Sequence, residues 1–213
     1  MGEKGDWTRE GLEKDIVGKM TAVTVPVNMR LEGVQRVLDF SEMKRVLERA
    51  SVISLGECGC RKKVNKCDAP LDVCISLDKE AGNMIKTGLG RKTSLREALE
   101  ALQRSHKAGL VHIAYTFGKS EKPEVVCSCC PRCCHSKSAL VKFGIPGAVV
   151  ASKYVSVNNV ETCISCGTCT DRCQFKARHM EDDKLVYNAA RCFGCGLCVN
   201  TCPTKSISLA EKQ

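Results

Sequence analysis

Eight cysteines near the end of the chain have a spacing that iron can use. Cys163, Cys166, Cys169 and Cys173 follow the pattern C-x2-C-x2-C-x3-C, and Cys192, Cys195, Cys198 and Cys202 repeat it 29 residues later, with Pro203 behind the last. A [4Fe–4S] cube needs four thiolates at four iron corners. One C-x2-C-x2-C loop supplies three, and the cysteine set off by three residues ligates the other cluster of a two-cluster pair. That rule assigns Cys163, Cys166, Cys169 and Cys202 to one cluster, and Cys192, Cys195, Cys198 and Cys173 to the other. Zinc modules do not ordinarily use such a run. Gly167 and Gly196 let the loops turn tightly and bring backbone N–H groups toward sulfur. Ile164, Phe175, Phe193 and Leu197 are expected to exclude water. Gln174 stands where the second copy has Pro203. An amide donor near a sulfur there would give the two clusters different potentials.

Nine further cysteines lie in two knots. Cys58, Cys60, Cys67 and Cys74 make one; Cys127, Cys129, Cys130, Cys133 and Cys134 make a denser one, reading Cys-Ser-Cys-Cys-Pro-Arg-Cys-Cys. Buried structural cysteine explains one such residue and not nine in two groups. Zinc is an alternative, but C-x-C spacings and adjacent pairs suit it poorly, whereas neighbouring cysteines can reach different irons or different clusters. The expectation is one or two further iron–sulfur clusters, with ligands drawn from both knots. Arg61, Lys62, Lys63 and Arg132 would offset cluster charge and donate hydrogen bonds. His135, beside Cys134, and His179, beside the repeat, are the better placed histidines; His106 and His112 read as packing residues.

These cysteines need elements to hold them. The 29-residue shift also superposes Val157 on Val186, Asn159 on Asn188, Gly167 on Gly196 and Met180 on Leu209. Two copies of one strand, cysteine loop, short helix and strand would give this match. The chain before the repeat is built differently. Met43, Val46, Leu47 and Ala50 recur at helical spacing behind Ser41, an N-cap residue type. Leu95, Ala98, Leu99 and Leu102 do so behind Ser94, with Glu97 completing a capping box and Gly109 ending the helix. A third helix is predicted from about Asp68-Ala69-Pro70, carrying Val73, Leu77, Ala81 and Met84. Strands are predicted at Ala22–Val27, Val52–Leu55, Leu110–Phe117 and Glu124–Cys127, the last two joined by a polar turn at Gly118–Pro123.

On its two four-cysteine motifs, the segment from about residue 154 to 211 resembles a bacterial-type two-cluster ferredoxin. The whole chain is similar to ferredoxin-type iron–sulfur proteins of anaerobic microbes that carry a cysteine-rich N-terminal domain, down to the helix ending His106-Lys-Ala-Gly-Leu-Val-His112. That resemblance implies cluster binding and electron transfer, and names no substrate. The expected fold class is α+β: a cysteine-rich α+β domain over residues 1–153, then a two-cluster ferredoxin-like repeat over 154–213.

Composition narrows the remaining choices. The chain has 213 residues and is 43% hydrophobic, but 17 of those residues are cysteines, so bonds to metal are expected to supplement a modest apolar core. A disulfide scaffold so rich in cysteine would be short and would follow an apolar leader; the start, Met1-Gly-Glu-Lys-Gly-Asp6, is charged. No stretch reads as a membrane span, and a cytoplasmic location is expected. The net charge of +9 comes without a basic recognition face, and thiolate-ligated clusters offset it, so nucleic acid is not an expected partner. The expected function is an electron carrier or oxidoreductase subunit that passes single electrons to a redox protein partner or within a larger oxidoreductase complex. No catalytic side chain is needed. The alternatives are a redox enzyme with a catalytic cluster or thiolate site in the N-terminal domain, and a cluster-dependent sensor.

Overall fold

The computed structural model describes residues 5–212, apart from Gly18, residues 26–28, 32–33, 39–40 and 118–119, and Glu121. The chain opens with α1 (Arg9–Ile16), β1 (Met20–Val25), β2 (Met29–Leu31), β3 (Val34–Leu38), α2 (Ser41–Glu48) and β4 (Ile53–Gly56). It continues through α3 (Gly59–Val64), β5 (Cys74–Leu77), α4 (Asp78–Lys86), β6 (Gly90–Lys92), α5 (Leu95–Lys107), β7 (Val111–Phe117), β8 (Val125–Cys129) and α6 (His135–Val141). The repeat contributes β9 (Tyr154–Asn158), α7 (Thr168–Arg172), β10 (Arg178–Glu181), β11 (Lys184–Tyr187) and β12 (Ile207–Glu211). The mixture is α+β, as the sequence predicts.

Six strands form an antiparallel sheet in the order β1-β7-β8-β5-β4-β6. Side chains alternate between the two faces of a strand, and here the faces do different work. Ile53, Leu55, Ile75, Leu77, Ala114 and Val126 pack on one face against Met43 and Leu47 of α2 and Ala98, Ala101 and Leu102 of α5. The predicted capping box starts α5: Ser94 accepts from the Glu97 N–H at 3.2 Å, and the Glu97 carboxylate accepts from the Ser94 N–H at 3.0 Å. On the opposite face, Val111, Ile113 and Tyr115 alternate toward Cys129, Cys134, Phe175 and Leu197. Alternation along β8 turns Cys127 and Cys129 to this second face while Val126 faces the helices.

The helix expected from Asp68 is corrected by the structure. Cys74–Leu77 is strand β5, hydrogen-bonded on both edges to β4 and β8, and the helix begins only at Asp78. Val73, Leu77 and Ala81 do recur every four residues, but Ile75 and Leu77 also alternate by two. Central pairing in the sheet decides between the two periods.

In the repeat, β9 and β12 pair antiparallel and β10 and β11 form a hairpin. The second unit replaces the short helix α7 by a turn and adds a 3-10 helix at Ala189–Arg191. β12 also pairs in parallel with β2, through Leu209 and Leu31, which extends this sheet to the order β3-β2-β12-β9.

A polar seam ties the repeat to the end of α5. Arg172 donates to the carbonyls of His106 at 2.9 Å and Lys107 at 3.4 Å, placing a cation at the negative end of the helix dipole. Asn200 meets His106 Nε2 at 3.2 Å, and Gln174 donates to the Gly109 carbonyl. Gly109 itself has φ +78°, and a Cβ there would lie 2.6 Å from an Arg172 nitrogen, so glycine ends the helix and makes room for the seam. Among the described residues no helix is long and apolar enough to cross a membrane.

Candidate metal centre

The eight cysteines of the repeat line two voids. Cys163, Cys166, Cys169 and Cys202 surround one, and Cys173, Cys192, Cys195 and Cys198 surround the other. The last cysteine of each motif therefore faces the void of the other. The local geometry repeats as faithfully as the sequence. Gly167 and Gly196 both have φ +75°. Asn159 and Asn188 each accept from the amide two residues on, at 2.9 and 3.0 Å. Cys173 and Cys202 each accept an amide N–H four residues on, from Ala177 and Ser206, both at 3.2 Å.

Charge is arranged to match. Burial pushes the Cys195 thiol up to about 12 and Cys198 up to about 11, so thiolate there requires nearby positive charge. Arg178, buried at 3% exposure, acts electrostatically on Cys169 of one void and Cys198 of the other. It donates to Ser156 Oγ at 2.9 Å, and its second terminal nitrogen has no hydrogen-bond partner. Four convergent thiols, amide donors on sulfur and a buried cation with spare donors suit an anionic iron–sulfur group. Water exclusion is unequal: Phe175 and Phe193 stack at 4.2 Å over the second void, whereas Ile164, expected to shield the first, is 64% exposed. The Gln174 donor goes to the Gly109 carbonyl, not to a sulfur.

The nine earlier cysteines fall into two groups that cut across the two knots. Cys58, Cys60, Cys74, Cys127, Cys129 and Cys134 form the larger one on the second face of the six-stranded sheet. Cys58 interacts with Cys60, Cys74 with Cys127, and Cys129 with both Cys127 and Cys134, while Cys60 feels the charge of Cys129. Cys129 is the central sulfur, held well below the usual thiol range by donation from Cys127 and Cys134, by the Lys137 charge and by the Tyr115 hydroxyl 3.9 Å away. Two buried cations flank this group. Arg61 donates to the Ser128 carbonyl at 2.7 Å and leaves Nε and Nη2 without partners, and Lys137 Nζ has none. An unpaired charge buried in this way costs several kcal/mol, so anionic sulfur is the chemistry that fits. Lys62 and Arg132 are exposed, and Lys63 lies over the Trp7 ring at 4.0 Å.

The smaller group is Cys67, Cys130 and Cys133, whose sulfurs all lie within 4.8 Å of one another. Cys67 comes from the first knot and the other two from the second. The adjacent pairs Cys129-Cys130 and Cys133-Cys134 thus each divide between the groups. The His135 ring joins neither, although its backbone N–H donates to Cys60; its Nε2 lies 3.5 Å from Asp15 and the ring packs edge-on to Trp7. His179 is exposed, 3.9 Å from Glu181. His106 and His112 stack at 6.2 Å behind the sheet, as packing residues.

Sequence reasoning missed Lys137, although a lysine three residues past Cys134 lies one helical turn from it. It also missed the C-x2-C inside the denser knot, Cys130-Pro-Arg-Cys133. Residues 156–204 match the sequence model of a family described as the 4Fe-4S dicluster domain, which supports an iron–sulfur-binding, ferredoxin-type domain in this part of the chain. No curated protein matches the chain.

Proposed function

We propose that this chain is an iron–sulfur electron-transfer protein, or the electron-transfer subunit of a larger oxidoreductase complex, that serves anaerobic metabolism. The observation that carries this reading is the interlacing of the repeat: Cys202 faces the void of the first motif and Cys173 that of the second. The ligand sets are then Cys163, Cys166, Cys169 and Cys202, and Cys192, Cys195, Cys198 and Cys173, in a domain over residues 154–213 that follows a cysteine-rich domain over 1–153. A [4Fe–4S] cluster in each void, with one or two further iron–sulfur clusters on the earlier cysteines, would supply one-electron chemistry without a catalytic side chain.

The chain's own residues give these centres an order. The first void has an exposed thiol, Cys166, and exposed Ile164 at its rim, a surface suited to a redox protein partner. The second is walled off by the Phe175–Phe193 stack. Arg178 stands between the two voids. Lys137 stands between Cys195 of the second void and Cys129 and Cys134 of the six-thiol group. Each cation lowers the energy of negative charge on both its sides.

Full-length protein prepared without oxygen is expected to hold at least about eight iron and eight sulfide per chain, and to be reduced in one-electron steps followed by EPR. Protein that carries zinc and no sulfide, and is EPR-silent on reduction, overturns the proposal.

One observation favours a second reading, a redox enzyme. A cleft of about 470 Å³, walled by Trp7, Phe117, Tyr115 and His135, reaches Cys60 and Cys127 of the six-thiol group. An electron carrier saturates its iron with thiolate. An enzyme leaves an exchangeable position at this cleft, so added cyanide changes the EPR spectrum of the enzyme and leaves that of the carrier unaltered.

A further inference from the structure

Three sulfurs in this molecule are too close together for separate corners of a cube. Cys67 Sγ lies 3.5 Å from Cys130 Sγ and 3.7 Å from Cys133 Sγ. Thiolates on different irons of a cluster are held apart by those irons. Accordingly, among the described residues no three sulfurs of the repeat lie within 4.8 Å of one another, although they surround voids. Thiolates sharing one ion stand closer: with metal–sulfur bonds of 2.3 Å, the edge of a tetrahedron is about 3.8 Å. The distances here match that edge. They are far longer than the roughly 2 Å of a disulfide.

The surroundings are those of a bound thiolate set. Cys130-Pro-Arg-Cys133 is a C-x2-C turn in which the Cys133 N–H donates to Cys130 Sγ at 3.2 Å. The Arg132 N–H also donates to Cys130, and the Lys66 N–H to Cys133. Asn65, in the left-handed conformation at the end of α3, reverses the chain so that Lys66 and Cys67 reach the turn. Val64, Val73 and Leu110 pack around the sulfurs, and Trp7 covers them, with its indole N–H donating to the Cys133 carbonyl at 2.9 Å. No other Cys, His, Asp or Glu among the described residues joins the three.

We infer that Cys67, Cys130 and Cys133 form a mononuclear site for one soft divalent cation, zinc(II) by preference, whose fourth position is filled by a ligand from outside the protein. Zinc is preferred because a thiolate site binds it more tightly than iron(II) and imposes no geometry that zinc resists. Three protein ligands leave a position for water or a small thiol. The inference goes beyond the electron-transfer reading and does not rest on it.

Full-length protein prepared without oxygen tests the site by metal analysis and X-ray absorption at the zinc edge. The expected result is one zinc per chain beside the iron, with three or four sulfur neighbours at about 2.3 Å. Cys67→Ser and Cys130→Ser should each lower zinc content several-fold while iron and sulfide stay constant. If those variants do not fold, wild-type protein grown in cobalt(II) decides alone: an intense thiolate-to-cobalt band in the near ultraviolet is expected. The inference is overturned if zinc and the cobalt band are absent. It is equally overturned if Cys67→Ser removes iron and sulfide together in cluster amounts, or if mass spectrometry finds a disulfide among the three.

Discussion

Lys137 is the side chain on which the charge balance of this molecule turns. It lies fully buried on α6, without a hydrogen-bond partner; burial pushes its ammonium down, and Cys134, Cys129 and Cys195 pull it back up. Lys137→Met keeps the stem and removes the charge. On the proposed function, the expected outcome is less iron on the six-thiol group and a lower reduction potential for a cluster held by Cys173, Cys192, Cys195 and Cys198, read by metal analysis and EPR-monitored titration. Were those sulfurs neutral, the variant would instead unfold at a higher temperature, because an apolar group would replace an unpaired charge. His106 and His112 give a second prediction. Burial pushes His112 down to about 3 and His106 to about 4, the latter helped by the Arg172 charge. The unfolded chain, with histidines near 6.5, then binds more protons between pH 6.5 and these values, so stability falls as pH falls through that window. Thermal unfolding at pH 7 and pH 5 should show a smaller drop for His106→Gln than for the unaltered protein. What these residues do was only partly legible beforehand. The types and spacing of the eight repeat cysteines suffice to say which four gather round each void, because one short loop wraps one void. The division of Cys129-Cys130 and Cys133-Cys134 depends on which face of β8 each thiol leaves, and that requires the register of the sheet.

Elements announce themselves when local and tertiary signals agree. The capping box and Gly109 delimit α5 in the sequence, and the structure ends the helix within two residues of that glycine. β5 was illegible because its apolar residues fit both periods and its partners, β4 and β8, lie far away in the chain. The glycines make a further test at this scale. Gly109→Ala introduces a side chain at φ +78° and 2.6 Å from Arg172. The left-handed conformation alone costs about 1–2 kcal/mol, and the arginine can swing aside, so a loss near that size is expected in chemical denaturation. Gly194→Ala is expected to do worse. Its φ is +65°, and the new Cβ would overlap Ser152 Oγ and the Tyr154 carbonyl, which is backbone and cannot yield. That loop leads from Cys192 to Cys195, so Gly194→Ala should also lower iron and sulfide content, whereas Gly109→Ala should leave both unchanged.

At the scale of the whole molecule, the α+β mixture follows from the sequence, but the way its two parts share an apolar face does not. Phe175, Phe193, Leu197 and Cys195 of the repeat pack with Val111, Ile113 and Tyr115 of the sheet; nothing in either pattern specifies that partner. A chain cut to residues 154–213 is therefore expected to retain about eight iron and eight sulfide while losing the excess iron. With this face uncovered, its second cluster should bleach faster in air than in the full-length protein, as followed by visible absorption. Equal iron content in the two forms, with the earlier cysteines all free, would contradict the additional cluster. The divided cysteine pairs carry a consequence for biogenesis. The two peptide bonds Cys129–Cys130 and Cys133–Cys134 join the two cysteine groups, so metal filling either group first would immobilise two thiols of the other, two of three in the smaller or two of six in the larger, and lower the entropy still to be lost there. Maturation is then assisted in either order: a chain with one group already metallated would load the other faster, while each group can still be filled alone.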